Sequence, residues 1–224
     1  MQSLIVALAP ILILALYIYL RDKYEREPFR MLLAAILSGA FSVLPILWVE
    51  TFLQTFDSFS HRWSAAYEAF IVAGFTEELF KYLVFLLLIW RSKDFNEKFD
   101  GIVYSVFISL GFAAVENILY VQQHGLQTGV VRAFTSVPAH ASFGVLMGYW
   151  FGLARFYSKN RIPNLVVAFL FAFLAHGLYD FILMAKIQHY YGYFIPYLIL
   201  LFTLAVVLIR KSSNSSIYRK IRLK

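Results

Sequence analysis

The side chains with most chemistry to offer lie inside apolar stretches rather than between them. Glu77, Glu78 and Lys81 fall within one such stretch, Glu116 and Asn117 within the next, His140 within a third, and His176 with Asp180 within a fourth. Carboxylates and imidazoles move protons near neutral pH, activate water and ligate divalent metals. At membrane depth an ionisable group costs roughly 2.5–3.5 kcal/mol on insertion scales, so such residues normally face the bundle interior and mark function.

Spacing adds local detail, because residues three or four apart share a helix face. Lys81 can therefore reach both Glu77 and Glu78, and Asp180 lies one turn beyond His176, where it can orient the imidazole. Adjacent carboxylates titrate as a pair, which suits one of them to accept a proton. Peptide hydrolysis inside a membrane needs water, a base to activate it and donors for the developing oxyanion, and glutamate with histidine supplies these. The rival chemistry is a zinc ion held by Glu116, His140 and His176. No His-Glu-x-x-His pattern is present, so zinc rests on residue type alone and the metal-free glutamate reading is preferred. Each feature also has a plainer reading. The Glu77, Glu78, Lys81 cluster would serve as an interhelical ion-pair network, Glu116 with Asn117 as a packing hydrogen-bond site, and His140 as a satisfied interior histidine. His61, His124 and His189 read as surface residues, and Glu50 and Glu68 sit near span ends, where water suffices to explain them.

The elements that must position these groups are transmembrane helices. Of the 224 residues 61% are hydrophobic and 19% aromatic, with mean hydropathy +0.68, which excludes an ordinary soluble domain. One span needs roughly 20 mostly apolar residues, so the chain holds about seven and leaves no room for a second domain. The expected fold is an all-α polytopic transmembrane bundle forming one domain over residues 1–224. Its spans are Leu4 to Leu20, Met31 to Phe52, Tyr67 to Trp90, Gly101 to Val121, Val131 to Phe156, Ile162 to Met184, and Tyr191 to Ile209. The first run reads as a retained span, since no basic residue precedes it and Arg21 and Lys23 follow directly. Cysteine is absent, which excludes disulfides, thiol nucleophiles and Cys-based zinc motifs.

Net charge is +7, and its placement decides its meaning. Sixteen of the 20 basic residues fall in alternate connections or the carboxyl-terminal tail, leaving Arg62, Arg132 and Lys186 opposite and Lys81 within a span. By the positive-inside rule the amino terminus is outside and the carboxyl terminus cytoplasmic; the basic tail then meets anionic lipid, not nucleic acid. Counted from the outer span ends, Glu77, Glu116, His140 and His176 lie about five to ten residues deep, roughly 7–15 Å at helical rise. Four helices thus place polar groups in one layer. Gly144, Gly148 and Gly152 recur every four residues in line with His140, so that helix should approach a neighbour closely.

In order along the chain stand Tyr19-Leu20-Arg21-Asp22-Lys23-Tyr24 with Glu27-Pro28, Glu77-Glu78-Leu79-Phe80-Lys81, Phe99-Asp100-Gly101-Ile102-Val103-Tyr104, Leu110-Gly111-Phe112-Ala113, Glu116-Asn117-Ile118-Leu119-Tyr120, His140 with Gly144, and His176-Gly177 with Tyr179-Asp180. This series resembles the PrsW intramembrane proteases, which are similar to the wider group containing the CAAX prenyl proteases. The resemblance implies a multi-pass bacterial cell-membrane endopeptidase that makes the extracytoplasmic, site-1 cut in a single-span anti-sigma factor and so releases a sigma factor in a stress response. It also implies Glu77, Glu78 and His176 as catalytic residues, with Lys81, Glu116, Asn117, His140 and Asp180 supporting. The fourth-span motif ends in Glu116 where the CAAX relatives have histidine, so their mechanism does not carry over. Two rival functions are a proton-coupled transporter, which inverted repeats would favour though none is visible, and a non-catalytic scaffold binding a partner's transmembrane helix along the glycine stripe.

Overall fold

A computed structural model describes residues 2–185 and 187–215. Lys186, Arg219, Lys220, Arg222 and Lys224, used above for orientation, lie outside the described residues. The described chain is helical throughout: α1 (Gln2–Arg21), α2 (Phe29–Gln54), α3 (His61–Ala66), a π-helical run (Tyr67–Phe75), α4 (Thr76–Leu88), α5 (Lys98–His124), α6 (Leu126–Phe134), α7 (Ser136–Phe156), a single 3₁₀ turn (Ser158–Asn160), α8 (Arg161–Met184) and α9 (Tyr191–Asn214). Among the described residues, five helical segments are long and apolar enough to cross a membrane: α1, α2, α5, the 3₁₀ turn with α8, and α9. Their lipid-type exposure is evident in residues such as Leu12, Leu44, Leu174 and Ile199, all largely uncovered.

Two expected spans are built differently. Tyr67 to Trp90 is the later part of a path that begins at His61 and passes from α-helix into π-helix and back. Val131 to Phe156 is broken at Thr135 (φ −119°, ψ −78°), which separates α6 from α7. Pro138 accounts for the break, because it has no N–H to give the carbonyl of Phe134 and its ring crowds that carbonyl.

The bundle is organised around α5, whose residues from Phe99 to Ala113 are all buried. It can be covered on both sides because glycines remove the side chains that would hold its neighbours away. A Cβ on Gly39 of α2 would run into the carbonyl of Ile108, and one on Gly111 into that of Ile36. On the opposite side, a Cβ on Gly144 would stand 2.9 Å from the Ser105 carbonyl, Gly148 faces the Gly101 backbone and Gly152 that of Lys98. The glycine stripe of α7 therefore packs on α5, as its spacing predicts. The hydroxyl of Ser109 donates to the His140 carbonyl at 2.6 Å and fixes the register at the end of this contact.

At the other end of the bundle a polar knot joins the α1–α2 connection to the start of α5. The Tyr104 hydroxyl donates to Glu27, the Glu27 N–H donates to Asp22 Oδ2 at 3.2 Å, and Asn96 Nδ2 donates to Glu25 Oε1 at 2.8 Å. Asp100 Oδ2 accepts from the N–H groups of Asn96 and Glu97 at 2.8 and 2.7 Å, and Glu97 with Asp100 forms a capping box on α5. The Glu27-Pro28 and Phe99-Asp100-Gly101 elements are thus two halves of one structural clasp.

Two outcomes test this packing. Replacing Gly148 by Val should destabilise the protein by about 1–3 kcal/mol through overpacking, while Gly192→Ala, with open space around its Cβ, should leave the unfolding midpoint in detergent unchanged. In the clasp, burial raises the Asp22 and Glu27 carboxyls from 3.8 and 4.5 to about 7. The folded state then keeps protons that the unfolded chain releases, so stability should decline as pH rises through that window. Asp22→Asn and Glu27→Gln should flatten the decline in a thermal-melt series, and a wild-type profile without slope would contradict the assignment.

Candidate active site

The α4 turn that opens with Thr76 carries three charged groups on one face, all buried. Lys81 Nζ lies 3.1 Å from Glu77 Oε2 and 2.8 Å from Glu78 Oε1. The same Glu78 oxygen lies 2.9 Å from His176 Nδ1 on α8, and Glu77 Oε2 lies 3.8 Å from that nitrogen. The far nitrogen of the ring, Nε2, lies 3.2 Å from Asp180 Oδ2, so the aspartate expected one turn beyond does hold the imidazole. Phe143 of α7 stacks on the ring at 4.8 Å between centroids.

From α7, His140 turns Nδ1 to Lys81 Nζ at 3.4 Å and Nε2 to Glu116 Oε2 at 2.8 Å. Glu116 in turn accepts from Arg132 at 2.7 Å. Asn117 is fully buried; its Oδ1 accepts from Arg132 Nε at 2.8 Å and its Nδ2 donates to the Ala7 carbonyl at 2.8 Å. All eight residues singled out in the sequence therefore belong to one connected network spread over α4, α5, α7 and α8.

Backbone geometry explains the close approach of α4 and α8. A nine-residue π-helical run is unusually long, since π turns mostly occur singly and often at functional sites. Near its end lies Gly74, where a Cβ would stand 3.0 Å from the Gly177 nitrogen, and Gly177 itself meets the Phe70 ring. This pair brings the residue before Gly177, His176, to the carboxylates just after Gly74. Gly177 beside His176 was visible in the sequence, but the π-helix that aligns it with the carboxylates has no signal there.

The donor atoms of Glu77, Glu78, His140 and His176 lie within 4.8 Å of one another, which makes these four a set able to hold a metal ion. The chemistry fits: two carboxylates and two imidazoles suit zinc and its neighbours, and Asp180 provides the second hydrogen bond that ligating histidines usually have. Buried Glu78 Oε2 has no hydrogen-bond partner among the described residues, leaving an acceptor to spare. The set differs from the Glu116, His140, His176 group expected for zinc. Glu116 is turned to the far side of His140 and paired with Arg132, so it lies outside the four-residue set.

A cavity of about 790 Å³ opens beside this cluster. Glu77, Glu116, His140, His176 and Asp180 line it, whereas Glu78 does not. Glu50 of α2 and Glu68 of the π-helix also line it, although their positions near span ends gave no reason to include them. Arg132, at the start of the fifth expected span, was likewise counted only among the basic residues of the outer side; its sole sequence signal is that few basic residues share that side.

A helical bundle that buries a carboxylate–imidazole cluster beside a cavity has the make-up of a membrane-embedded hydrolase. Residues 27–209 match the family described as PrsW family intramembrane metalloprotease, and the chain belongs to that family. It is 42% identical to Protease PrsW of Geobacillus kaustophilus over 195 residues, covering 87% of this chain and 84% of that protein. Identity to Protease PrsW of Clostridioides difficile is 38% over 218 residues, covering 95% and 92%, and to that of Bacillus subtilis 36% over 195 residues, covering 87% and 88%. No solved structure matches significantly. Membership makes the chain a peptidase and a multi-pass bacterial membrane protein. It also carries the word metalloprotease, which runs against the metal-free chemistry preferred from the sequence.

Proposed function

We propose that this peptidase makes the extracytoplasmic, site-1 cut in a single-span anti-sigma factor, by hydrolysis assisted by a divalent metal such as zinc. The observation that carries the chemistry is the buried Glu77, Glu78, His140, His176 set opening on the cavity. In the seven-span arrangement read from the apolar segments, α4 with its π-helix and α7 join the five long apolar helices, and the Lys and Arg distribution turns the cavity end outward. A cut on that side, close to the end of a substrate span, would license later intramembrane proteolysis.

The two adjacent glutamates have different surroundings, and this divides their work. Glu78 is fully buried, clamped between Lys81 and His176, and does not face the cavity; it is a holding group. Glu77 faces the cavity and is the base that takes a proton from the attacking water. Glu78, His140 and His176 would hold the metal, with Asp180 fixing the His176 ring. When bound, the metal supplies Lewis-acid polarisation of the scissile carbonyl and makes water a better nucleophile at neutral pH. Arg132 holds Glu116 against His140, so the cavity wall stays fixed while a peptide enters.

In liposomes holding a single-span substrate, Glu77→Gln should lower turnover by about 10²–10⁴-fold, the usual contribution of a positioned base. Glu78→Gln and His176→Ala should also abolish cleavage, as should chelation, with zinc restoring the wild type. Full activity in all three variants would contradict the site, and activity unaffected by chelation would contradict the metal.

A further inference from the structure

An ammonium group has three N–H donors and no acceptor. The one on Lys81 faces three acceptors at hydrogen-bond range: Glu77 Oε2 at 3.1 Å, Glu78 Oε1 at 2.8 Å and His140 Nδ1 at 3.4 Å. Its fourth neighbour is the Phe112 ring of α5, whose centroid lies 4.0 Å from Nζ. Lys81 is almost wholly buried, so no water competes for these contacts. Those three acceptor residues are also three of the four able to hold a metal ion. The fourth, His176, meets the carboxylates of Glu78 and Glu77 and reaches the ammonium through them.

We propose that Lys81 is an internal counter-ion that competes with the divalent metal for Glu78 and His140 while pairing with the base Glu77, holding the metal-free site in shape and weakening its grip on the metal. The inference rests on the reading of the cluster as a metal site. The two carboxylates, crowded within 4.8 Å, would otherwise repel in a setting with little screening. A lysine cation placed among them removes that repulsion before any metal arrives. The same lone pairs cannot fully serve an ammonium and a divalent ion, and the two cations would be close neighbours in a weakly screening interior. Lysine suits this role because its charge sits on a flexible stem that can give way, whereas the wide planar fork of arginine has fixed demands. Lys81 is therefore a positioning residue and a setting of affinity, not a ligand.

The test measures zinc affinity of the detergent-solubilised full chain by competition with a chromogenic chelator, together with unfolding midpoints with and without zinc. Lys81→Met should bind zinc at least about tenfold tighter than wild type, equivalent to about 1.4 kcal/mol. Without metal it should melt lower, and zinc should raise its midpoint more than that of wild type. Lys81→Arg keeps the charge and should bind no tighter than wild type. If wild type binds zinc and Lys81→Met binds equally or more weakly, the inference falls and the metal site stands. If neither binds zinc, the metal reading itself falls and takes the inference with it. Should Lys81→Met fold only when prepared with zinc, its rate of metal loss to excess chelator replaces the equilibrium reading: slower loss than wild type supports the inference, and equal or faster loss overturns it.

Discussion

A carboxylate in the interior of a helical bundle must find a partner, because neither lipid nor packed protein replaces its water. Glu78 meets that demand from two directions, with Lys81 on its own helix at 2.8 Å and His176 on α8 at 2.9 Å. The interaction is local chemistry and tertiary structure at once, since it ties α4 to α8. From it the network extends: Lys81 to His140 on α7, His140 to Glu116 on α5, and Glu116 to Arg132 on α6. Breaking one member of such a chain leaves another charge buried without compensation, which costs more than the pair contributes.

Packing makes these contacts possible. Charged side chains of this length meet only when helix axes come close, and closeness here is set by glycine against backbone. Gly144 and Gly148 seat α7 on α5, Gly39 and Gly111 join α2 to α5, and Gly74 with Gly177 bring the π-helix against α8. The polar clasp of Glu27, Asp100 and Tyr104 closes the opposite end. The family elements thus fall into two classes, those that supply reactive groups and those that let the helices approach.

Much of this was legible in the sequence. The all-α architecture follows from hydropathy, and the eight polar residues announced themselves by standing where polar residues are expensive. The alignment of His140 with the glycine stripe and the pairing of Asp180 with His176 followed from helical spacing alone. What remained hidden depends on three dimensions. The π-helical run has no sequence signature, so the rotation that sets Glu77 toward the cavity and Glu78 away from it could not be read. Glu50 and Arg132 looked like ordinary residues near water, because membership of a cavity is a property of several helices together. Glu116 was placed among the zinc ligands on residue type; in the structure it pairs with His140 and with Arg132, which lies on a helix that Pro138 separates from α7.

The central claim is that Glu78 and His176 form one interhelical unit, and a double-mutant cycle addresses it most directly. Unfolding free energies would be measured in detergent for wild type, Glu78→Gln, His176→Gln and the double variant. Each single change should be strongly destabilising, and the double variant should be less so than their sum by at least about 1 kcal/mol, the signature of groups in contact. Additivity within about 0.5 kcal/mol would show that the two side chains do not interact and would contradict the account.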